Sequence, residues 1–183
     1  MLQAEVITKK ALQTAVIEEF LLGTQVNLNF FYSNLNQRLE LMGTDTRRQT
    51  NLDGFLRLTS DSQLEALKYT KPTMIETGHI AVTLKESLIE KAMDIGQKFV
   101  AVTKQKFGQE IIGPFALQGS IVTLEGQEQF VIFDVSMRIP GSPGIKSTPY
   151  TEYLFGQNLS YGQRIAMEIC QAVKEDRLLE ILT

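Results

Sequence analysis

The stretch FALQGSIVTLEGQEQFVIFDVS, residues 115–136, decides the fold class of this chain. Its first part, 115–123, and its last part, 129–136, are rich in β-branched and aromatic residues, which are typical of strands. Gly126 lies in the short segment between them and supplies a flexible turn. The stretch therefore predicts an antiparallel hairpin.

The register of this hairpin brings oxygen-bearing side chains together. A three-residue loop, with Leu124 paired to Glu128, sets the register. In that register Gln118 stands opposite Asp134, and Ser136 shares their face because side chains alternate along a strand. Asp134 interrupts an apolar strand, which is costly unless the carboxylate is exposed, hydrogen-bonded or bound to a cation. Neighbouring oxygen ligands suit Mg²⁺ completed by nucleotide phosphates; the alternative is that this face simply meets water.

Four segments upstream of the hairpin also carry strand patterns. TAVIEEF at 14–20 and QVNLNFFYS at 25–33 predict a second hairpin. RLELMGT at 38–44 predicts a further strand, which leads into a polar loop over 46–55. TMIETGHIAV at 73–82 predicts another strand.

Helical patterns alternate with these strands. The pattern predicts a short helix over 60–67, a long one capped by Thr83 and Glu86 and ended by Gly108, and a last one capped by Ser160 and Gln163. Proline and glycine punctuate a loop over 140–149. Because no repeat or linker interrupts the chain, residues 1–183 are expected to form one α+β domain.

Composition narrows the classes of function. With 183 residues, of which 43% are hydrophobic and 21% charged, the chain is long enough to bury a core. A net charge of -3 argues against binding to a nucleic-acid backbone. No apolar run approaches the roughly 20 residues needed to cross a bilayer. We therefore expect a soluble, cytoplasmic protein with neither a nucleic-acid nor a membrane partner.

The sequence lacks the residues or motifs that several common kinds of active site require. The single cysteine, Cys170, allows no internal disulfide or multi-cysteine metal cluster. The single histidine, His79, has no GxSxG nucleophile to accompany it. Neither GxxxxGK[ST] nor a GxGxxG after a strand is present to bind phosphate. Hydrolase, zinc and P-loop chemistry are therefore disfavoured.

A few charged residues remain as candidates, each with an ordinary alternative. Arg138, at the mouth of the proline-rich loop, is suited to hold a phosphate or a developing negative charge, or is a plain surface arginine. Glu18 and Glu19 end the first predicted strand, where backbone groups either bind a flat heterocycle or meet solvent. Arg47 and Arg48, in the polar segment, either meet a phosphate or face water.

Five segments taken in order resemble a known family. They are IEEFLLG at 17–23, NFFYS at 29–33, ETGHIAVTLKESLI at 76–89, IGPFALQG at 112–119 and YGQRIAMEI at 161–169. From about residue 14 to Thr183 the chain resembles the C-terminal half of the archaeal PurP family, the formate-dependent 5-formaminoimidazole-4-carboxamide ribonucleotide synthetases. The resemblance implies the C-terminal part of an ATP-grasp fold, an antiparallel sheet with flanking helices. The N-terminal Rossmann-like domain and first ATP-grasp lobe are expected to be absent from this chain.

The resemblance also implies an activity and a set of site residues. The family joins formate to aminoimidazole carboxamide ribonucleotide with ATP and Mg²⁺, through formyl phosphate, in purine biosynthesis. By alignment, Glu19, Phe20, Leu21, Asn27 and Gln49 bind ATP, His79 binds the ribonucleotide, and Gln118 and Asp134 are the magnesium ligands. Arg138, from its charge and place, is the catalytic candidate.

This sequence departs from the family at three of those positions. The family carries Glu at position 134, Asn at position 79 and Glu at position 49. We expect the chain to be inactive alone, to require a missing N-terminal half or a companion subunit, and to form a homo-oligomer. The alternatives are a non-catalytic paralogue or regulatory subunit that retains the fold, and an ATP-dependent ligase with another acceptor.

Overall fold

A five-stranded antiparallel sheet forms the centre of the molecule. The computed structural model describes residues 8–141 and 146–182. The strands are β1 (Thr24–Ser33), β2 (Arg38–Gln49), β3 (Glu76–Ala81), β4 (Gly113–Leu124) and β5 (Gln127–Ser136). Their order across the sheet is β3-β2-β1-β4-β5, so β1 is central. The α+β prediction is confirmed.

Six α-helices accompany the sheet in the described residues. They are α1 (Lys9–Gln13), α2 (Leu52–Phe55), α3 (Ser60–Ala66), α4 (Glu86–Phe107), α5 (Tyr150–Phe155) and α6 (Tyr161–Lys174), followed by a 3₁₀ turn at Leu178–Ile181. The predicted cap of α6 is confirmed, because the side chains of Ser160 and Gln163 each accept the other's backbone N–H. Gly108, at φ +79°, ends α4 as predicted. No helix in the described ranges is long and apolar enough to cross a membrane.

Alternation along β1 gives the sheet two different faces. Val26, Leu28 and Phe30 belong to the main core, against which apolar side chains of α4 pack on the first face. Phe31 points to the second face and packs with Tyr161 at the start of α6. The rest of the second face carries polar side chains and is where the candidate site lies.

A buried ionic cluster attaches α6 to the second face. The guanidinium of Arg164 lies 2.5 Å from Glu40 on β2 and 2.8 Å from Glu168, one helical turn on. It also sits 4.2 Å from the ring centre of Phe31, a cation–π contact. Ser33 donates to Glu168 at 2.8 Å. Because these charges are almost completely buried, they depend on one another for compensation.

The prediction of a strand over 14–20 is wrong. Residues 15–22 have no regular structure. The reason is the central place of β1: β4 pairs along one of its edges from Thr24 onward, and β2 pairs along the other from Asn27 onward. The apolar run therefore finds no free edge with which to make a hairpin.

Two boundaries near β3 also differ from the predictions. The polar segment 46–55 is not all loop, because β2 continues to Gln49 through its pairing with β3. The cap at Thr83 is wrong, since α4 begins after Lys85. The Leu84 N–H donates to the hydroxyl of Tyr150 at 2.8 Å, and this contact holds the chain extended before the helix. Part of the predicted loop 140–149, namely 142–145, lies outside the described residues.

The β4–β5 hairpin has the predicted partners but a different turn. Leu124 pairs with Gln127 rather than Glu128, across a two-residue turn. A bulge then shifts the register between Gln118 and Gly119, with one additional residue on β5. The shift brings Gln118 opposite Asp134, so this predicted pairing is confirmed. The predicted register holds over 116–118 and is wrong over 119–124.

The ionic cluster predicts a specific sensitivity of stability. Arg164→Met leaves Glu168 buried without its cation and Glu40 with only the half-exposed Arg38, so we expect a loss of about 3–5 kcal/mol in the free energy of unfolding. Urea unfolding at neutral pH measures this. Arg177→Met is the matched control, because Arg177 pairs with exposed glutamates, and we expect a much smaller loss. Equal losses in both variants would contradict the role given to Arg164.

Candidate functional site

A cavity of about 130 Å³ opens on the second face of the sheet, beyond the part that α6 covers. We call it the polar cavity. It is lined by Asn27, Asn29, Arg47, Glu76, His79, Ala116, Gln118, Ser136, Arg138, Pro140 and Gly141. All five strands and the segment that follows β5 contribute to it, so the complete sheet is needed to build it.

Asp45 lies beneath this cavity and is completely buried. Alternation along β1 sends Asn27 and Asn29 to the same face, and the register sets Asn27 opposite Asp45. Their side-chain amides donate to the Asp45 carboxylate at 2.7 and 2.6 Å. These hydrogen bonds compensate for the burial of the carboxylate. The residue therefore ties β1 to β2 on this face.

His79 is held between two carboxylates. Its Nδ1 lies 2.5 Å from Asp45 Oδ1 and its Nε2 lies 2.7 Å from Glu76 Oε1. Burial lowers the pKa of His79, but its hydrogen bonds and charge interactions with Asp45 and Glu76 outweigh burial, so the net pKa is raised. Since carboxylates only accept, the arrangement favours the imidazolium that donates from both nitrogens.

An irregularity in β3 makes the contact between His79 and Glu76 possible. Residues three apart on a regular strand point to opposite faces. The register of β2 with β3 shifts between Arg48 and Gln49, so that Thr77 is an additional residue next to Glu76. This bulge turns Glu76 to the face of His79.

Arg47 continues this line of contacts toward β4. It stands opposite His79 in the sheet register. Its Nε forms an ion pair with Glu76 Oε2 at 3.0 Å but makes no hydrogen bond to it, and its Nη2 donates to the side-chain oxygen of Gln118. The predicted substrate-binding histidine and one predicted metal ligand are therefore joined through Glu76 and Arg47.

Asn29 leaves one acceptor unpaired at the wall of the cavity. Its amide nitrogen must face Asp45, which only accepts, so the orientation of the amide is fixed. Its Oδ1 is buried and has no hydrogen-bond partner among the described residues. A buried acceptor of this kind requires a donor from a water or a ligand. The geometry thus gives the cavity a place for an N–H or O–H group.

The predicted magnesium ligands lie side by side on β4 and β5. Gln118 is half-buried and lines the polar cavity, whereas Asp134 is exposed beside it. No group of three or more His, Cys, Asp or Glu residues in the described ranges is arranged to hold a metal. An amide oxygen and a carboxylate nevertheless match Mg²⁺ in kind, provided that water and phosphate oxygens complete the shell.

The predicted ATP-binding residues are divided between two places. Phe20, Leu21 and Gln49 line a second, larger depression of about 840 Å³, whose other walls include Leu52, Met74, Ile80 and Ile121. We call it the apolar groove. Glu19 is exposed and is not part of its lining. Asn27 lines the polar cavity instead. Arg47 is among the lining residues of both depressions.

Arg138, the predicted catalytic residue, lies at the edge of the polar cavity. It is exposed, and its guanidinium donates to the backbone oxygen of Ile139 at 3.3 Å. The structure thus brings Arg138 together with Asn27, His79 and Gln118 in one cavity. Its one described hydrogen bond is exposed and goes to the neighbouring residue, so it constrains the side chain only weakly.

Sequence reasoning missed Asp45, Glu76 and Asn29. The alternation NLNF at 27–30 was a usable signal, because two amides on one face of an otherwise apolar strand require a polar partner. Glu76 gave no such signal, since its position depends on the bulge in β3. Asp45 is recognised only once the pairing of β1 with β2 is known.

The raised pKa of His79 predicts a pH-dependent contribution to stability. A group whose pKa is higher when folded stabilises fully below its unfolded pKa, about 6.5, and loses that contribution as the pH rises through the folded value. We expect the free energy of unfolding of the wild type, minus that of His79→Asn, to fall as the pH rises from about 6. Urea unfolding across this range measures the difference, and a constant or rising difference contradicts the prediction.

Comparisons with known proteins place the chain in a family. A domain of unknown function, DUF1297, matches residues 1–183. Two relatives are 5-formaminoimidazole-4-carboxamide-1-(beta)-D-ribofuranosyl 5'-monophosphate synthetases. The one from Methanocaldococcus jannaschii is 34% identical, and the match covers 97% of this chain and 48% of that protein. The one from Thermococcus kodakarensis is 35% identical, and the match covers 96% of this chain and 52% of that protein. The crystal structure of an IMP biosynthesis protein PurP from Thermococcus kodakaraensis is 33% identical and superposes with a TM-score of 0.69, covering 91% of this chain and 51% of that one.

This chain therefore spans about half the length of the relatives that it matches. The expected resemblance and the α+β fold class are both confirmed by these matches. The chain belongs to the DUF1297 domain family and is a homologue of the C-terminal half of the archaeal PurP synthetases.

Proposed function

We propose that this chain carries nucleotide and ribonucleotide contacts of an ATP-dependent ligase that formylates aminoimidazole carboxamide ribonucleotide with formate. One observation supports this above all: the chain carries both a nucleotide-sized apolar groove and a small polar cavity, and Arg47 contributes to the lining of each. Homology to the PurP synthetases supplies the reaction. Product formation requires the rest of the enzyme, whether in the same polypeptide or in a companion subunit.

The apolar groove is proposed to receive the adenine and ribose of ATP. Its volume of about 840 Å³ lies within the range of small-molecule sites. Phe20 and Leu21 supply apolar surface for a flat ring, and Gln49 supplies a side-chain amide. The phosphates are proposed to extend past Arg47, which lines both depressions, toward Gln118 and Asp134.

Gln118 and Asp134 are the residues that would hold Mg²⁺ beside the phosphates. Bound there, the ion would screen the triphosphate charge as formate attacks the terminal phosphorus. Arg138 is proposed to hold the developing negative charge from the other side of the cavity. In this step a carboxylate oxygen of formate bonds to phosphorus and the bond to ADP breaks, which gives formyl phosphate and ADP.

The ribonucleotide is proposed to enter beside His79 and Asn29. Asn29 Oδ1 offers the acceptor for an N–H of its amine or carboxamide, and His79 Nε2 offers a donor once Glu76 moves aside. The amine nitrogen then bonds to the formyl carbon, phosphate leaves, and the amine loses a proton. Holding both reactants in one small cavity supplies the proximity that this step needs.

A second candidate is a nucleotide-binding paralogue without catalysis. The contact of Arg47 with Gln118 favours it, because a guanidinium occupies the oxygen that a metal ion requires. The two candidates differ in metal dependence. If the chain is part of a ligase, Mg²⁺ should strengthen its binding of nucleotide. If it is a paralogue in which Arg47 stays hydrogen-bonded to Gln118, Mg²⁺ should not change that binding.

Asp134→Asn tests the metal assignment. We expect the variant to fold normally, because Asp134 is exposed, and to lose about tenfold or more of the Mg²⁺-dependent gain in ADP affinity. Isothermal calorimetry of the chain with ADP, with and without MgCl₂, measures this gain. Ser136→Ala, two residues on and on the same face, is the matched control. An Asp134→Asn variant that keeps the full gain would rule out the assignment, and a wild type with no gain favours the paralogue.

His79 tests the ribonucleotide contact. His79→Asn is expected to bind aminoimidazole carboxamide ribonucleotide as tightly as the wild type does, because an amide also donates and accepts. His79→Ala should weaken that binding about tenfold or more and leave ADP affinity nearly unchanged. Calorimetry with each ligand in turn separates the two effects. Loss of ADP affinity in His79→Ala, or no loss of ribonucleotide affinity, counts against this role.

A further inference from the structure

Four polar side chains form an unbroken line of contacts across the polar cavity. His79 Nε2 meets one oxygen of Glu76 at 2.7 Å, and Arg47 Nε meets the other at 3.0 Å. The far end of the same guanidinium donates to Gln118. We call this line the relay. Its two ends are the proposed ribonucleotide contact, His79, and the proposed metal ligand, Gln118.

Each inner member of the relay is shared between two partners. Glu76 divides its carboxylate oxygens between a histidine and an arginine, while Arg47 divides its nitrogens between Glu76 and Gln118. A stronger contact on one side therefore weakens the contact on the other. Glu76 and Arg47 retain side-chain exposures of 42% and 32%, so they have room to move. His79 is only 12% exposed and is fixed by Asp45.

We propose that Glu76 and Arg47 are positioning residues that couple the occupancy of Gln118 to the occupancy of His79. The identity of the two ligands rests on the proposed function, whereas the coupling itself rests on the relay. A cation at the Gln118 oxygen displaces the Arg47 guanidinium, because both require the same atom and their charges repel. The displaced Arg47 pairs more fully with Glu76 and draws it away from His79.

This movement frees His79 Nε2 for a ligand at the moment when the metal position is filled. By linkage, a ligand that displaces Glu76 from His79 also favours release of Gln118. The relay thus predicts that the metal-bound nucleotide and the ribonucleotide each strengthen the binding of the other. The relay also accounts for the contact of Arg47 with the Gln118 oxygen. In this proposal that contact is the position of the Arg47 side chain in the absence of ligand, and the side chain moves away when a cation binds.

The single histidine gives this inference a direct readout. Because His79 is the only histidine in the chain, its ring signals in an NMR titration are unambiguous. The charged groups facing it are Asp45 and Arg47 from β2 and Glu76 from β3, with Arg138 in the same cavity. Gln118 is neutral, and the structure shows no contact between it and His79. A change at Gln118 can reach His79 through the relay, or through Asn27, which stands opposite Gln118 and donates to Asp45. The Arg47 backgrounds in the experiment below separate the two routes.

The experiment is a mutational cycle in the ligand-free chain. Gln118→Ala releases Arg47 to Glu76, so the pKa of His79 should fall by about 0.4 units or more. Ser136→Ala, which removes another neutral polar group from the cavity, should leave it unchanged. In an Arg47→Met background, Gln118→Ala should have no effect. Arg47→Lys provides a second background, because an ammonium lacks the fork that spans Glu76 and Gln118.

The outcomes separate this inference from the proposed function. Two outcomes overturn the relay, whatever the chain binds. In the first, Gln118→Ala leaves the pKa of His79 unchanged. In the second, Gln118→Ala still lowers the pKa of His79 in both Arg47 backgrounds. A second arm adds ADP and MgCl₂ to the wild type, and the Gln118 side-chain amide signal reports occupancy. If that signal moves while the His79 pKa does not, the coupling is overturned. If the mutational cycle succeeds but no nucleotide binds, the relay stands and the proposed function fails.

Discussion

The arrangement of the candidate site depends on one buried carboxylate, that of Asp45. Left alone in the interior it would cost several kcal/mol, so its position is tenable only while donors surround it. The amides of Asn27 and Asn29 and the ring of His79 are those donors. They come from β1 and β3, on either side of β2, so one side chain fixes the relative placement of three strands. The orientations of Asn29 and His79 follow from that requirement.

The two faces of the sheet differ in character: the first builds the main core, and the second carries the candidate site. On the first face, apolar side chains of β1 pack against α4 and form the main core. On the second face, the ionic cluster around Arg164 holds α6 over one end only. The other end stays open and polar. A rigid, well-packed sheet thereby presents a row of charged and amide groups whose separations are fixed by strand spacing.

Within that row the charges alternate along a single line. Asp45, His79, Glu76 and Arg47 follow one another with opposite signs, and the line ends on the neutral Gln118. Such a line is self-compensating in the absence of ligand, yet each of its contacts is also one that a phosphate, a metal ion or an amide can replace. The proposed binding site is therefore a cavity whose internal contacts the ligands would replace.

The sequence by itself determined the features that depend on local pattern: the strand at 25–33, the paired strands around Gly126, the helix ended by Gly108 and the cap at Ser160. The resemblance of five ordered segments also identified the family. Tertiary structure decided the rest, because edges and bulges are properties of neighbouring strands. The segment 14–20 does not form the predicted strand because both edges of β1 are already paired. Glu76 contacts His79 because a bulge in β3 turns both side chains to the same face. The pairing of Gln118 with Asp134 required a bulge at Gly119, where a Cβ would lie 2.6 Å from the Val131 carbonyl oxygen. No local pattern records such a close approach between two strands.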